Sequence, residues 1–310
     1  MADMLVMGVD ENGLGPRLGP MVATALTLET PRYARAFLTK RGLALGLTDS
    51  KQTGGFGRLG FTESAALGVL RLAGLGTPGS ADELLERVSP GTSEHIRCRC
   101  PDDSSAAQCW AVDFPLPGFG GDASFGVDLL ERLVGRSRLR IVDVQSRIIC
   151  AGLLNERLAA GQNKLAVDLE LFEQLIASVQ SRHGSPLLAV CGMIGGIRDY
   201  QSRFSRFEAG RVKELRRRRG QRRYSIDRLG EVRFEVDADA RHLPVALASI
   251  VGKYLREICM RRIGEFYRRD DPALELSSGY HDPVTTRFID ATEPARRRLQ
   301  IAPDCFRRQA

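Results

Sequence analysis

The sequence predicts an α/β protein, and three observations carry that reading. Unbroken apolar runs at residues 4–7 and 187–191 have the texture of strands buried on both faces. Leu247, Ile250, Val251, Tyr254, Leu255 and Ile258 recur at three-four spacing, the stripe of a helix packed on a sheet. Strand-like and helix-like segments also interleave along the chain, which is the order of an α/β fold.

The first run leads into Gly8-Val9-Asp10-Glu11-Asn12-Gly13-Leu14-Gly15-Pro16, so two carboxylates stand where the strand leaves the core and a glycine loop follows. Residues 20–28 read as a second apolar strand. A buried strand, an acidic pair and a glycine loop together suit a hard cation with a polyanion beside it. Taken alone, the pair is an ordinary strand end before a turn.

Residues 31–39 predict a short helix, followed by Leu47-Thr48-Asp49-Ser50-Lys51 and a glycine-rich loop over 54–60. An amphipathic helix is expected over 61–75 with Thr62 as its N-cap, and a second over 80–88 with Ala81, Leu84 and Leu85 on one face. Residues 89–121 carry several prolines, three cysteines and the single tryptophan, Trp110, and read as an inserted lobe. His95, Cys98, Cys100 and Cys109 are possible zinc donors there, but C-x-C is not the paired C-x-x-C knuckle, and reduced, packed thiols are the default.

A strand is expected over 139–149, then a long helix over 165–179 with Leu165, Leu169, Leu171, Phe172 and Leu175 inward. The strand at 187–191 runs into Gly192-Met193-Ile194-Gly195-Gly196. Residues 211–224 hold eight positive charges against one negative. They read either as a solvated loop or helix face, or as an arm lying on phosphates, binding through counterion release without reading sequence. A short strand over 232–236 delivers Asp237 and Asp239. A helix over 244–268 follows with Pro244 in its first turn, then a turn at 277–283 and an Arg-rich tail.

Composition narrows the class. A chain of 310 residues with 43% hydrophobic and 27% charged content can bury a sizeable core. The formal charge of +7 is dominated by Arg, which suits phosphate contacts and raises the prospect of a nucleic-acid partner. No apolar run approaches a membrane span, and the first residues lack a signal-peptide pattern. Seven irregularly spaced cysteines predict free thiols in a reducing cytoplasm.

Four stretches together resemble the type 2 ribonucleases H (ribonuclease HII), which cut the RNA strand of RNA–DNA hybrids and nick at single ribonucleotides in DNA. They are residues 8–16 with Gly19-Pro20; Asp49-Ser50-Lys51; Asp239-Ala240 with residues 244–253 and Arg256; and Ser278-Gly279-Tyr280 ahead of Asp282-Pro283. The resemblance implies a ribonuclease-H-like mixed sheet flanked by helices in a single domain over 1–310. Insertions are expected at 89–121 (Cys/Pro-rich) and 211–230 (basic), with a substrate-contacting segment at 270–310.

It further implies two divalent ions, magnesium or manganese, held by four carboxylates, of which Asp10, Glu11 and Asp239 would be three. Gly13, Leu14 and Gly15 would form the loop that senses the ribose 2′-OH. Tyr280 would stack on the sugar beside the junction, and Lys51, Lys253 and Arg256 would contact or support phosphates. RNA–DNA hybrid, or DNA with embedded ribonucleotides, is the expected partner of a monomeric, non-membrane protein.

Two positions depart from the family pattern. Leu14 stands between the loop glycines where a basic residue is usual. More consequentially, Gly192 (or Cys191, if the register slips by one) occupies the place of the third carboxylate, with no acid between Glu173 and Asp199. The reading is therefore a hybrid-binding protein with impaired cleavage. The alternatives are an active enzyme using Asp199, Asp237 or a water instead, or an interaction module on the same fold.

Overall fold

Strand β1 (Met4–Asn12) is an inner strand of the sheet, and its alternation contributes to both layers of the core. The computed structural model describes residues 3–47, 59–91, 107–135, 138–183 and 186–309. Leu5, Met7 and Val9 point to one face, where they pack with Val167, Leu171, Phe172 and Leu175 of helix α6 (Lys164–His183). Val6 points to the other face and packs with Val245 of helix α8 (Leu243–Arg268). Between them Gly8 leaves no room for a side chain, since a Cβ there would stand 2.1 Å from the Pro244 carbonyl carbon. That close approach seats the first turn of α8 on β1.

Among the described residues seven strands form one sheet, in the order β3-β2-β1-β4-β7-β6-β5. The other strands are β2 (Met21–Thr30), β3 (Arg140–Ile149), β4 (Leu187–Gly192), β5 (Val212–Arg218), β6 (Gln221–Ile226) and β7 (Gly230–Glu235). β1, β4 and β7 run parallel, and the remaining pairs are antiparallel. The fold is thus a mixed α/β sheet flanked by helices, as expected. On the α8 face, β2 residues Val22, Leu26 and Leu28 share a core with α2 (Leu59–Leu72), α3 (Ala81–Val88), α4 (Ala123–Val134) and α8. Shorter helices α1 (Arg35–Ala44), α5 (Ala151–Ala159), α7 (Ala238–Arg241), α9 (Pro283–Ala291), α10 (Glu293–Arg298) and α11 (Pro303–Phe306) complete the chain.

Two expectations change. Thr62 does not cap a helix: α2 begins at Leu59, and Thr62 is buried within it. Ser80, by contrast, caps α3 by accepting from Glu83 N at 3.3 Å. The basic run is neither loop nor helix but the edge hairpin β5–β6, because alternation of Val212, Tyr224 and Ile226 toward the α6 core outweighs its charge. Part of that charge is offset locally, by Glu214 on Arg217 and by Glu231 on Arg223.

The described part of the cysteine-bearing segment, from Ala107 onward, is tied down. Buried Glu63 of α2 accepts from the backbone N–H of Gly118, Phe119 and Gly121 and from Tyr254 Oη of α8. Buried Arg262 of α8 donates to Val112 O and packs against Trp110. His95, Cys98 and Cys100 lie outside the described residues; Cys109 lies beside the apolar cluster of Leu18, Met260 and Ile263. No helix among the described residues is long and apolar enough to cross a membrane.

Candidate active site

The C-terminal ends of the parallel strands β1, β4 and β7 open on a cleft of about 820 Å³. Sheet geometry explains which residues reach it. Asp10 and Glu11 are consecutive on β1, so their side chains leave opposite faces, Asp10 with the α8-facing set and Glu11 with the α6-facing set. Asp239 comes from α7, just past β7, and Lys253 and Arg256 come from α8. Gly13, Leu14, Gly15 and Tyr280 line the same cleft. Residues hundreds of positions apart in the chain therefore share one site. Lys51 lies outside the described residues.

At the end of β4, positions 192 and 191 face opposite ways. A Cβ at Gly192 would stand 2.9 Å from Asp10 Oδ1, so position 192 faces the β1 acid directly. Cys191 turns instead into the α6-side core, fully buried, where burial and then the Asp168 and Asp10 carboxylates push its thiol well up. It is not poised as a thiolate. Of the two acids considered as replacements, Asp199 is directed elsewhere: it accepts from Gln201 N at 3.1 Å, stands 3.8 Å from Arg217, and is not among the residues lining the cleft. Asp237 lines the cleft but is exposed and holds a left-handed backbone with φ of 52°.

Sequence reasoning missed four residues here. Asp168 of α6 is fully buried in the cleft wall next to Glu11 and Asp10, and neither of its carboxylate oxygens has a hydrogen-bond partner. Burial, then the Glu11 and Asp10 charges, push its carboxyl well above the usual range. Glu257 of α8 also lines the cleft, and burial raises it against the opposing Arg256 and Lys253 charges.

Glu235, paired in register with Gly192, accepts from Gln221 Nε2 at 2.8 Å and lies 3.2 Å from His242 Nε2. The His242 hydrogen bond outweighs burial and holds the Glu235 carboxyl at about 2. Tyr33 Oη closes this network at 2.9 Å from His242 Nδ1.

Arg308 is the fourth. It is buried near the chain's end and donates to Gly13 O and, at 3.1 Å, to Leu14 O. Burial and then the Arg256 charge push it down to about 10. Gly13 has a φ of 99°, and a Cβ there would meet Arg256 Nε at 2.8 Å, so only glycine fits this turn. Arg256 in turn donates to Ser278 O at 2.8 Å and stacks on Tyr280, 4.7 Å from its ring centre. Loop, Arg256 and Tyr280 thus form one supported unit. The signals were faint: an Asp inside an apolar helix stripe, and an Arg in a tail already rich in Arg.

The donor set suits a hard divalent cation, being all oxygen, with two orphaned carboxylate oxygens on Asp168. As the side chains lie, no three His, Cys, Asp or Glu among the described residues stand close enough together to hold an ion.

Comparison with known proteins bears on this region. The family model of ribonuclease HII matches residues 192–307. No curated protein matches the sequence. Among solved structures, ribonuclease HII from Archaeoglobus fulgidus, in its complex with PCNA, is 19% identical, covering 99% of this chain and 98% of its own, with a TM-score of 0.46. Ribonuclease H2 from Pyrococcus horikoshii is 18% identical over 98% and 92%, with a TM-score of 0.47. RNase H3 of Aquifex aeolicus is 13% identical over 97% and 70%, at 0.44.

Proposed function

The chain is a divergent ribonuclease-HII-like protein, matched to that family over residues 192–307, and from this premise we propose what its cleft does. It binds RNA–DNA hybrid, or DNA with embedded ribonucleotides, and its metal-dependent cleavage of the RNA strand is impaired because Gly192 stands where the third carboxylate belongs. The observation that supports this reading is the convergence of Asp10, Glu11, Asp239, the Gly13–Gly15 loop, Lys253, Arg256 and Tyr280 on one cleft.

Each group has a definite task. Asp10, Glu11 and Asp239 would hold magnesium or manganese, which supplies Lewis-acid activation of the phosphate and of a water. The Gly13–Gly15 loop, held by Arg308, sets its backbone against the ribose edge where the 2′-OH marks RNA. Tyr280, half exposed and braced by Arg256, offers a face for the neighbouring sugar. Lys253 and Arg256 bring positive charge toward the phosphates. Removing one carboxylate of four misplaces an ion and costs roughly a hundredfold or more in rate. Cys150, Cys191, Cys259 and Cys305 are free thiols, in keeping with a cytoplasmic setting, and we take the protein to act there as a monomer.

Binding and cleavage test the proposal separately. Fluorescence anisotropy at low salt should show hybrid binding, and magnesium or manganese should support only slow cutting that Asp10→Asn abolishes. Gly192→Asp should raise the rate. Cleavage by the native chain at a rate ordinary for the family would overturn impairment, and no hybrid binding at low salt would leave the interaction-module reading in its place.

A further inference from the structure

Asp168 has no explanation as a structural residue. It lies on α6 among Val167, Leu169, Leu171 and Phe172, all buried. Its residue exposure is 0%, and both carboxylate oxygens lack a hydrogen-bond partner, an arrangement that is costly unless something else satisfies them. Two other buried carboxylates, Glu63 and Glu173, each accept several backbone N–H groups. Asp168 accepts none. Instead it lines the cleft on the α6 side of β1, the side toward which Glu11 points.

We propose that Asp168 is a divalent-cation ligand of this site, entering from helix α6 beside Glu11 and Asp10, so that the cleft keeps a hard-cation site although position 192 is glycine. The two carboxylate sources are not equivalent. An acid at 192 would reach Asp10 from the end of β4, on the α8 face, whereas Asp168 approaches from the opposite face of β1. An ion on the α6 side is thereby retained, while the ion that an acid at 192 would position is not. This rests on the metal-site reading of the cleft and deepens it, because it predicts cation binding from a site whose cleavage is impaired.

Manganese binding to the metal-stripped full chain tests the idea without reference to activity. Titration calorimetry at neutral pH should show Mn²⁺ binding to the native protein, weakened tenfold or more in Asp168→Asn, with Asp199→Asn unchanged as a control. Circular dichroism establishes that each variant is folded. If Asp168→Asn fails to fold, crystals of the native chain grown with Mn²⁺ answer the same question: an anomalous peak at ligating distance from an Asp168 oxygen supports the assignment. A peak bound without Asp168, an affinity unchanged within twofold in Asp168→Asn, or no Mn²⁺ binding at millimolar concentration overturns it. Hybrid binding in metal-free buffer is measured alongside. Its loss with Mn²⁺ binding intact sinks the nucleic-acid reading and leaves the cation site standing.

Discussion

Replacing Glu235 by Gln isolates one buried charge beside the cleft. Glu235 is 1% exposed, lies against His242 and accepts from Gln221, and its carboxyl is held at about 2 against an ordinary 4.5. A folded-state value below the unfolded one means that the charged form stabilises the fold. Lowering it from 4.5 to about 2 corresponds to about 3 kcal/mol, fully present above pH 4.5 and lost as pH falls toward 2. Because the group is buried, no large discount for solvent screening applies.

Urea unfolding of native and Glu235→Gln protein, followed by far-ultraviolet circular dichroism, reads this directly. At pH 7 the variant should be about 3 kcal/mol less stable, and the gap should narrow steadily between pH 4.5 and 2.5. A gap under about 1 kcal/mol at pH 7 would refute the reasoning, as would one that is indifferent to acid, since it would then come from packing rather than charge.

Other expectations follow from particular interactions. Gly8→Ala drives a Cβ into the Pro244 backbone and should cost about 3 kcal/mol or more in urea unfolding, since neither β1 nor α8 can retreat without opening the core. Arg308→Ala removes both donors to the Gly13 and Leu14 carbonyls; a loss of about 2 kcal/mol and a several-fold fall in hybrid affinity are expected, only partly restored by Lys, which lacks the planar fork. Neutralising exposed Arg218 and Arg219 on the β5–β6 hairpin should leave stability unchanged and, if both reach phosphates, flatten the log–log salt dependence of hybrid binding by about one unit of slope for each phosphate no longer neutralised. An unchanged slope would place the hairpin off the nucleic-acid path.

By itself the sequence determined strands β1–β4 and β7 and helices α2, α3, α6 and α8, because their apolar spacing is a local record of which side meets the core. The runs at 4–7 and 187–191 became β1 and β4, and the stripe from Leu247 to Ile258 became the inner face of α8. It also put Asp10 and Glu11 at a strand end before the glycine loop, while Tyr280 was singled out only through the resemblance to the type 2 ribonucleases H; all of them line the one cleft. Charge misled where packing decided: the basic run looked solvated, yet Tyr224 and Ile226 bury one face of it as sheet.

Only the tertiary structure decided how the site is completed. Asp168 belongs to a helix read from its leucines, and nothing in linear spacing shows that α6 crosses β1 where Glu11 emerges. Arg308 likewise gains its role from a chain end folding back on the loop nearly three hundred residues earlier. Periodicity reports which residues face a core, whereas the meeting of a carboxylate from one face with a carboxylate from another depends on how the layers are stacked.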